Sequence, residues 1–533
     1  MKQILNILRK DLRRFWREIA ASLALLATYS WNDVRGWSGD QNSGVGYDVI
    51  GALFAQRFLS GLVAALLPVA WAFLIVRVVQ GEALVGDRQF WVTRPYEWKK
   101  LLVAKALFVV LTINLPLLLA DFLLLAKAGF PPTHYIAGLL WMQLLLSLIL
   151  ILPMATLATV TASVVQTILA ILGVALYGIG VGAVASVIPS SSFSGPVGSI
   201  EATLLIATCV VVIFWQYARR KTAAARWLIA ALALVADLLL VATPYNAIVS
   251  REFPRLGPGE PPPVYLSPLP ADPSSEAGVF GKEIMIQTPL RPSRMAENSI
   301  VIVSGVKVSL EAPDGLRWNS GWVSPGTKFF SDQTNLSPGS FMRTGITFTL
   351  KRSFFEQVKS EPVKARISLA LTEYRIENRR EFVIPPGEFL MPDVGICSAE
   401  TTYPTDMEIH CRAPLRRPTS TLIAADLSAT TCPAQAGESR DAPQNVREWL
   451  QNSDSGPADL GISPVKTFDL YLSEYRVYGA RNIHTGICPG TRLVIGNPVA
   501  VRRIGTELEI NSLRLADYRI PYDGTSEFGI VLR

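Results

Sequence analysis

The sequence predicts an α-helical polytopic membrane domain of about seven spans, followed by an all-β extracytoplasmic region. Of the 533 residues, 50% are hydrophobic and 17% are charged, whereas a soluble globular domain usually has about 25% charged residues. Residues 1–249 hold 19 Lys and Arg against 11 Asp and Glu, and the remaining residues hold 31 against 32. Because the basic excess coincides with the long apolar stretches, we expect lipid rather than nucleic acid around the first half.

The predicted transmembrane domain covers residues 16–246 and contains seven apolar stretches. A span needs about 20 mostly apolar residues to cross roughly 30 Å of hydrocarbon. Arg17 and Glu18 shorten the first stretch, and the fourth and fifth are nearly fused, which indicates a tight helical hairpin. The stretches are residues 16–31, 58–79, 101–126, 135–162, 164–188, 199–217 and 227–246.

Basic residues in short loops predict the orientation, because positively charged loops stay on the cytoplasmic side. With seven spans, three basic clusters fall on one side, and they contain 15 of the 19 basic residues before position 250. This predicts a multi-pass protein of the cytoplasmic (inner) membrane, with the N-terminus on the cytoplasmic side and everything after Thr243 on the extracytoplasmic side. The clusters are Lys2, Arg9, Lys10, Arg13, Arg14 and Arg17; then Arg77, Arg88, Arg94, Lys99 and Lys100; then Arg219, Arg220, Lys221 and Arg226.

Residues 1–17 are predicted to form an amphipathic helix at the inner headgroup layer. Ile4, Leu5, Leu8, Leu12 and Phe15 recur at helical spacing among the basic residues, as interfacial helices require. A cytoplasmic extension of the first span is one alternative. A removable signal peptide is another, but no small-x-small cleavage site closes the apolar run.

The outer region is predicted to begin with a linker and to continue as strands. Residues 247–278 are Pro-rich, with eight prolines between positions 254 and 273, and such a chain is stiff and extended. Residues 442–450 are the one later stretch with some helical character. Alternating or β-branched residues predict strands at 299–310, 345–351, 364–376, 467–478 and 506–513.

An internal repeat suggests two modules in this region. Residues 362–364 and 369–376 are echoed by residues 464–466 and 470–477, and the Gly-Ile-Cys at 395–397 returns at 486–488. An offset of roughly 100 residues matches one β-sandwich. We therefore expect two tandem immunoglobulin-like sandwiches, at residues 279–395 and 396–533. Chance similarity between amphipathic strands is the competing interpretation.

The cysteine pattern suggests disulfides rather than a metal site. An even number of cysteines in an oxidising compartment predicts two bridges, with three pairings open and four free thiols as the alternative. His410 beside Cys411 and His484 near Cys488 raise the idea of zinc, but no Cys-x-x-Cys pair supports it. The disulfide candidates are Cys397, Cys411, Cys432 and Cys488.

Motifs for catalysis are missing from the sequence. It lacks the Gly-x-x-x-x-Gly-Lys-Ser/Thr phosphate loop, the His-Glu-x-x-His helix and the Gly-x-Ser-x-Gly elbow. Three histidines leave few candidates for a general base. We therefore expect no catalytic residue, no metal and no cofactor bound by this chain.

Several polar and small residues inside the spans are candidates for function or packing. Asp237 lies near the middle of the seventh span, where an unpaired acid costs about 2.5–3.5 kcal/mol, so it should face the bundle. Either a substrate role or a hydrogen bond to a neighbouring helix would explain it. Asp121 should reach the outer interface and Lys105 the inner one. Gly178 and Gly182 form a close-packing pair, within the subunit or across a dimer. Kinks are expected at Pro68, Pro116 and Pro153.

The predicted inner loop at residues 81–100 is unusually dense in aromatic and charged side chains. Anchoring of its aromatic rings at the lipid headgroups is the simplest explanation. The alternative is a docking element for another protein. The residues concerned are Glu82, Asp87, Arg88, Phe90, Trp91, Arg94, Pro95 and Trp98.

In this loop the sequence resembles the type-2 ATP-binding-cassette (ABC) transporter permeases. The likeness rests on Asp87–Trp91, Thr93–Pro95, Leu101-Leu102 and Lys105, and it covers roughly residues 1–246. It implies a short coupling helix between Glu82 and Trp98 that docks on a separate cytoplasmic ABC ATPase, which binds the ATP. It also implies a permease homo- or heterodimer. The seventh span and the long outer region depart from the common six-span plan.

The sequence thus predicts the permease subunit of an ABC-type exporter. One alternative is a non-transporting membrane anchor that displays an outer adhesion or sensing domain. A membrane enzyme acting on lipid-linked sugars is a third hypothesis, which the missing acid/base clusters disfavour. The lipid bilayer and the ATPase are the expected partners, and nucleic acid is not.

Overall fold

The computed structural model describes most of the chain, and these residues belong to two compact units. The first unit comprises residues 1–178, 199–236 and 380–495, and the second comprises residues 179–198, 237–379 and 496–533. The described residues are 2–37, 47–81, 97–187, 195–242, 245–257, 265–268, 283–293, 295–323, 328–330, 345–403, 406–415, 420–426, 445–451, 462–471 and 490–518.

The described residues up to position 252 are mainly helical. Two π-helical turns, Val110–Asn114 and Ser147–Ile151, continue α4 into α5 and α6 into α7 without a break. The helices are α1 (Lys2–Arg14), α2 (Trp16–Arg35), α3 (Tyr47–Gln80), α4 (Trp98–Val109), α5 (Leu115–Lys127), α6 (Ile136–Leu146), α7 (Leu152–Val160), α8 (Val164–Val187), α9 (Gly195–Arg219), α10 (Thr222–Ala242) and α11 (Tyr245–Glu252).

Five helical segments among the described residues are long and apolar enough to cross a membrane. They are Gly61–Gln80, Trp98–Lys127, Pro132–Val160, Val164–Val181 and Ala202–Arg219. These segments correspond to the second to sixth predicted spans. The first and seventh predicted spans are helices too, α2 and α10, but neither is among the five. The count of seven therefore stays a prediction.

The second half is rich in strands, as predicted, and the described pairs are antiparallel. A short helix, α12 (Arg352–Val358), lies between the sixth and seventh strands. The strands are β1 (Tyr265–Pro268), β2 (Glu283–Ser293), β3 (Ser299–Glu311), β4 (Arg317–Asn319), β5 (Lys328–Phe330), β6 (Gly345–Lys351), β7 (Pro362–Val383), β8 (Glu388–Met391), β9 (Gly395–Tyr403), β10 (Asp406–Pro414), β11 (Ser420–Asp426), β12 (Asn445–Gln451), β13 (Val465–Tyr471) and β14 (Arg492–Arg514).

Three sheets contain these strands. One has the order β1-β2-β6, the second β13-β10-β9-β8, and the third β12-β11-β14-β7-β3-β4, with β5 added on β3. Alternation of apolar residues explains why β3 and β7 pair over most of their length. Ile367, Leu369 and Leu371 of β7 are buried on the same side as Val303, Val306 and Val308 of β3.

The second unit has an apolar core between two sheets. Ile284 and Ile286 of β2 and Phe348 of β6 share it with side chains of β3 and β7, and Phe355 of α12 closes one side. Leu513 and Leu515 lie in the same core. These two residues follow position 396, so the end of the second predicted module packs with strands of the first.

Two stretches differ from the prediction. Helical character was predicted for residues 442–450, but residues 445–451 form β12 because they pair along their length with β11. Residues 245–252, which include the start of the predicted extended linker, form α11, since no proline lies between positions 245 and 253. Val249 and Phe253 then pack with Ala370. Part of the predicted linker is therefore folded against the β-rich region.

Candidate functional site

The predicted ATPase-coupling loop lies mostly outside the described residues. Trp98 is described and is the first residue of α4. Its ring meets the ring of Phe214 in α9 edge-on, with centroids 6.5 Å apart. The residues outside the description are Glu82, Asp87, Arg88, Phe90, Trp91, Arg94 and Pro95. The loop thus leads into a helix whose first turn packs against another membrane helix.

A buried ion pair joins this helix to α1. Lys105 Nζ lies 2.7 Å from Asp11 Oδ2, with 5% and 2% of the two side chains exposed. Ile7 and Leu8, one turn before Asp11, are buried as well. The prediction that Lys105 extends to the inner headgroups is wrong, because Asp11 balances its charge inside the bundle.

The turn between α7 and α8 lies at the same end of the bundle. Gln80, the last residue of α3, donates hydrogen bonds to Thr161 Oγ1 at 3.0 Å and to Thr167 Oγ1 at 2.9 Å. The two threonine hydroxyls are also 2.7 Å apart. One amide therefore fixes both sides of the turn.

Two further helices bind the carbonyl groups that α7 leaves unpaired at its C-terminal end. Gln216 Nε2 of α9 donates to the carbonyl of Thr159 at 2.9 Å. Arg226 of α10 donates from Nη2 to the carbonyl of Val160 at 2.8 Å. The last carbonyls of a helix lack intrahelical partners, so these side chains supply the hydrogen bonds that water cannot supply inside a bundle.

A polar cluster joins the two π-helical turns inside the bundle. Asn114, the last residue of one turn, donates to Gln143 Oε1 and to Ser147 Oγ, both at 3.1 Å. Ser147, the first residue of the other turn, donates to the carbonyl of Gln143 at 2.8 Å. π-Helical turns occur often at functional sites, and here two of them are hydrogen-bonded to each other.

Proline explains the position of both π-helical turns. Pro116 and Pro153 each follow a π-helical turn by two residues. A proline has no N–H, and its ring clashes with the carbonyl four residues earlier in a regular α-helix. The wider turn relieves that clash. The expected disturbance at these prolines is therefore a local change of helix type.

Asp121 lies on α5, two turns beyond the polar cluster. Its side chain is buried, with 1% of the residue exposed, and Gln143 Nε2 donates to Oδ2 at 3.2 Å. No described group forms a hydrogen bond with Oδ1. The expectation that Asp121 reaches the outer interface is wrong, because the carboxyl group faces α6.

Strands pack on the other end of the same helices. Leu125, Phe130 and Leu139 form an apolar cluster with Val465 of β13, and Ile396 of β9 packs against it. Two glycines allow the close approach. A Cβ atom at Gly129 would lie 3.1 Å from Ile396 Cδ1, and one at Gly138 would lie 2.1 Å from Leu415 Cδ1. The first unit therefore combines membrane helices and a β-sheet in one packed body.

A polar contact accompanies this apolar cluster. Ser463 Oγ lies 2.7 Å from Asp33 Oδ2 and 2.8 Å from the carbonyl oxygen of Val465. Burial raises the pKa of Asp33, against the lowering effects of the Ser463 hydrogen bond and the charge of Lys466. Ser463 Oγ donates to Asp33 Oδ2 and accepts from the backbone N–H of Val465 at 3.2 Å, so this hydroxyl group links the end of α2 to the start of β13.

The remaining predicted residues are described in part. Asp237 lies in α10, but its side chain is outside the description. A Cβ atom at Gly178 of α8 would have no described atom within 4 Å, so the described residues offer it no packing partner within the chain. The surroundings of Gly182 are outside the description.

A disulfide bridge joins two of the four cysteines in the second half of the chain. Cys397 of β9 and Cys411 of β10 are register partners and are bonded, whereas Cys432 and Cys488 lie outside the described residues. Among the residues that the structure describes, no three His, Cys, Asp or Glu side chains are grouped as a metal would require.

The sequence did not reveal the partners of Asp11, Asn114 or Gln80. A signal was present for Asn114 and Ser147, since each is a polar residue shortly before a proline within an apolar span. Comparisons with protein-family models, curated proteins and solved structures found no match. The resemblance to ABC permeases therefore rests on the sequence features given above.

Proposed function

We propose that this chain is the membrane-spanning subunit of an ABC-type exporter, and that residues 82–98 bind a separate cytoplasmic ATPase. The observation that carries the proposal is the way this loop meets the bundle. It leads directly into α4, whose inner end is joined to α1 by the buried pair of Lys105 and Asp11. A loop placed before such a fixed helix can pass a force into the bundle, whereas a loop on a frayed helix would dissipate it.

The topology is part of the proposal. In it, α2 and α10 complete a seven-span bundle with the N-terminus in the cytoplasm and the β-rich region outside. Its support is that Gln80, Trp98 and the α7–α8 turn lie at one end of the helices, while Phe130 and Leu139 meet strands at the other. We also propose that the β-rich region contains two tandem immunoglobulin-like sandwiches. Its support is that the first copy of the repeat begins at the first residue of β7 and the second begins one residue before β13.

Affinity purification from a mild detergent tests the function. The expected result is an ATPase that carries the Gly-x-x-x-x-Gly-Lys-Ser/Thr loop and that is lost from the complex on Trp91→Ala or Arg94→Glu. The matched control is Arg317→Glu, which reverses a charge on β4 in the β-rich region, where 77% of the side chain is exposed.

A pulldown without any ATPase, from protein that is folded and monodisperse, would contradict the exporter. It would favour the membrane anchor that displays an outer domain. Loss of the ATPase from the Arg317→Glu control as well would show that binding does not depend on the inner loop.

A further inference from the structure

One helical segment connects the two ends of the first unit. Trp98–Lys127 contains 30 residues, and at 1.5 Å per residue it is about 45 Å long. It begins immediately after the loop to which we assign ATPase binding. It ends beside the cluster in which Leu125, Ala128 and Phe130 are packed with Val465. The same segment therefore contacts structural elements at both ends of the bundle.

The inner end of this segment is held by side chains that resist separation. Removing one partner of a buried ion pair leaves an uncompensated charge, which is strongly unfavourable, so Lys105 keeps α4 with α1. The rings of Phe108 and Phe15 meet edge-on one turn later, with centroids 6.4 Å apart. A displacement of α1 or of the loop is thus passed to α4.

The outer end is attached to strands rather than to a flexible loop. Val465 is the first residue of β13, and Ile396 is the second residue of β9. These strands flank β10 in one sheet. Pairing continues from Arg412 to Asp406 on one side of β10 and from Pro414 to Glu408 on the other. A shift at Val465 and Ile396 therefore moves the sheet as a whole.

The segment also contains one place where it can change shape. The π-helical turn at residues 110–114 lies between the two ends and is bonded through Asn114 to the second π-helical turn. Packed helices tend to switch between discrete arrangements rather than deform continuously. The π-helical turn is where such a switch would alter the direction of α5 relative to α4.

We propose that the helical segment Trp98–Lys127 transmits the conformational changes of the ATPase cycle to the sheet of β8, β9, β10 and β13. This part of the outer β-rich region therefore moves during each cycle. This inference rests on the proposed function. It assigns the sheet a mechanical role in which ATP hydrolysis at one membrane face changes the position of strands at the other. The sheet would then change position with the nucleotide state of the ATPase, which a domain that is only attached to the membrane helices would not do.

Hydrogen exchange of the intact complex tests the proposal. The full chain and its ATPase are placed in lipid nanodiscs, and amide exchange is compared between ADP and a non-hydrolysable ATP analogue. We expect nucleotide-dependent exchange in the peptides of β9 and β13 in the wild type. In Gly138→Leu, where the new side chain displaces Leu415, we expect loss of that dependence with ATP hydrolysis retained.

Gly61→Leu is the matched control. It makes the same change in another membrane helix, at a position with no described atom within 4 Å of the added Cβ, and it should keep the nucleotide dependence. Ile396→Ala is a milder second variant. It removes part of the apolar contact without inserting a larger side chain, and it should weaken the nucleotide dependence of exchange in β9 and β13. In each variant, formation of the Cys397–Cys411 bridge reports that the sheet has folded.

The outcomes separate this inference from the proposed function. The exporter proposal fails if no ATPase binds, or if binding to this chain leaves the rate of ATP hydrolysis by the ATPase unchanged. If the wild-type complex hydrolyses ATP but exchange in β9 and β13 is the same in both nucleotide states, the transmission proposal is overturned and the exporter proposal stands. Retention of the dependence in a folded Gly138→Leu complex would also overturn it, because the contact would then be unnecessary.

Discussion

Lys105 and Asp11 are 94 positions apart in the chain, yet their charged groups lie 2.7 Å from each other in a buried site. The pair joins a membrane helix to the helix that begins at Lys2. Neither residue has a neighbour in the sequence that would reveal the pairing. The contact determines how α1 is held, because its buried face has Asp11 beside Ile7 and Leu8.

Breaking this pair should be far more costly than breaking an exposed one. We expect Lys105→Met to lower the free energy of unfolding by roughly 3–5 kcal/mol, because a buried carboxylate loses its partner. The control is Lys100→Met, which removes an exposed pair with Glu97 and should cost at most about 1 kcal/mol. Thermal unfolding in detergent measures both. The double variant Asp11→Leu/Lys105→Met should recover much of the loss, and equal losses for Lys105 and Lys100 would contradict the buried pair.

The α7–α8 turn should depend on Gln216. Replacing it by Met keeps the length of the side chain but leaves the carbonyl of Thr159 without its donor. We expect a loss of about 1–3 kcal/mol, the cost of a buried polar group left unpaired. Gln166→Met is the control, because Gln166 accepts from Ala162 N at an exposed site where water can substitute. A loss in Gln166→Met as large as in Gln216→Met would show that burial is not the cause.

The contact between Asp33 and Ser463 should make stability depend on pH. Burial raises the pKa of Asp33 in the folded chain above its unfolded value, so the folded state binds the proton more tightly. This contribution is complete below the ordinary carboxyl pKa and is lost as the pH rises through the raised one. The melting temperature should fall over that range in the wild type, and the fall should be smaller in Asp33→Asn.

Glu509 provides a control of opposite sign. The hydrogen bond from Arg366 lowers the pKa of this exposed carboxyl group. Its contribution is therefore present above the ordinary pKa and is lost as the pH falls. Glu509→Gln should leave unchanged the fall in melting temperature that the wild type shows as the pH rises. The role of Asp33 would be refuted if the melting temperature of Asp33→Asn fell with rising pH as much as that of the wild type.

The bridge between Cys397 and Cys411 should account for part of the stability of the sheet. It closes a loop with a sequence separation of 14, for which the loss on removal is about 3 kcal/mol. We expect Cys397→Ala/Cys411→Ala to unfold at a lower temperature than the wild type. Non-reducing peptide mapping should find these two cysteines linked, and a link from Cys397 to Cys432 or Cys488 instead would contradict the pairing.

Local patterns in the sequence predicted the elements well, because hydropathy and alternation are properties of neighbouring residues. Five apolar spans and strands such as Gly345–Lys351 lie where the sequence indicated. The helical character predicted for residues 442–450 was wrong, because the strand at residues 445–451 depends on pairing with β11, which no local pattern reveals.

Partners distant in the chain could not be predicted. Asp121 was expected at the interface because it lies near the end of an apolar run, yet the orientation of α5 places it against Gln143. Gly138 had no distinctive sequence context, and its importance comes from Leu415, which approaches it from the β-rich region. The four cysteines in the second half of the chain allowed three pairings, and only the register of β9 and β10 selects the bridge that forms.

The place of β14 beside β7 has a consequence for biosynthesis. β14 begins at Arg492, roughly 100 residues after β7 ends at Val383, and such distant pairings form slowly. While a ribosome is still adding the residues between them, the edge of β7 that later receives β14 has no partner, and an open edge invites aggregation. A nascent chain would therefore need protection of that edge until its last long strand has emerged.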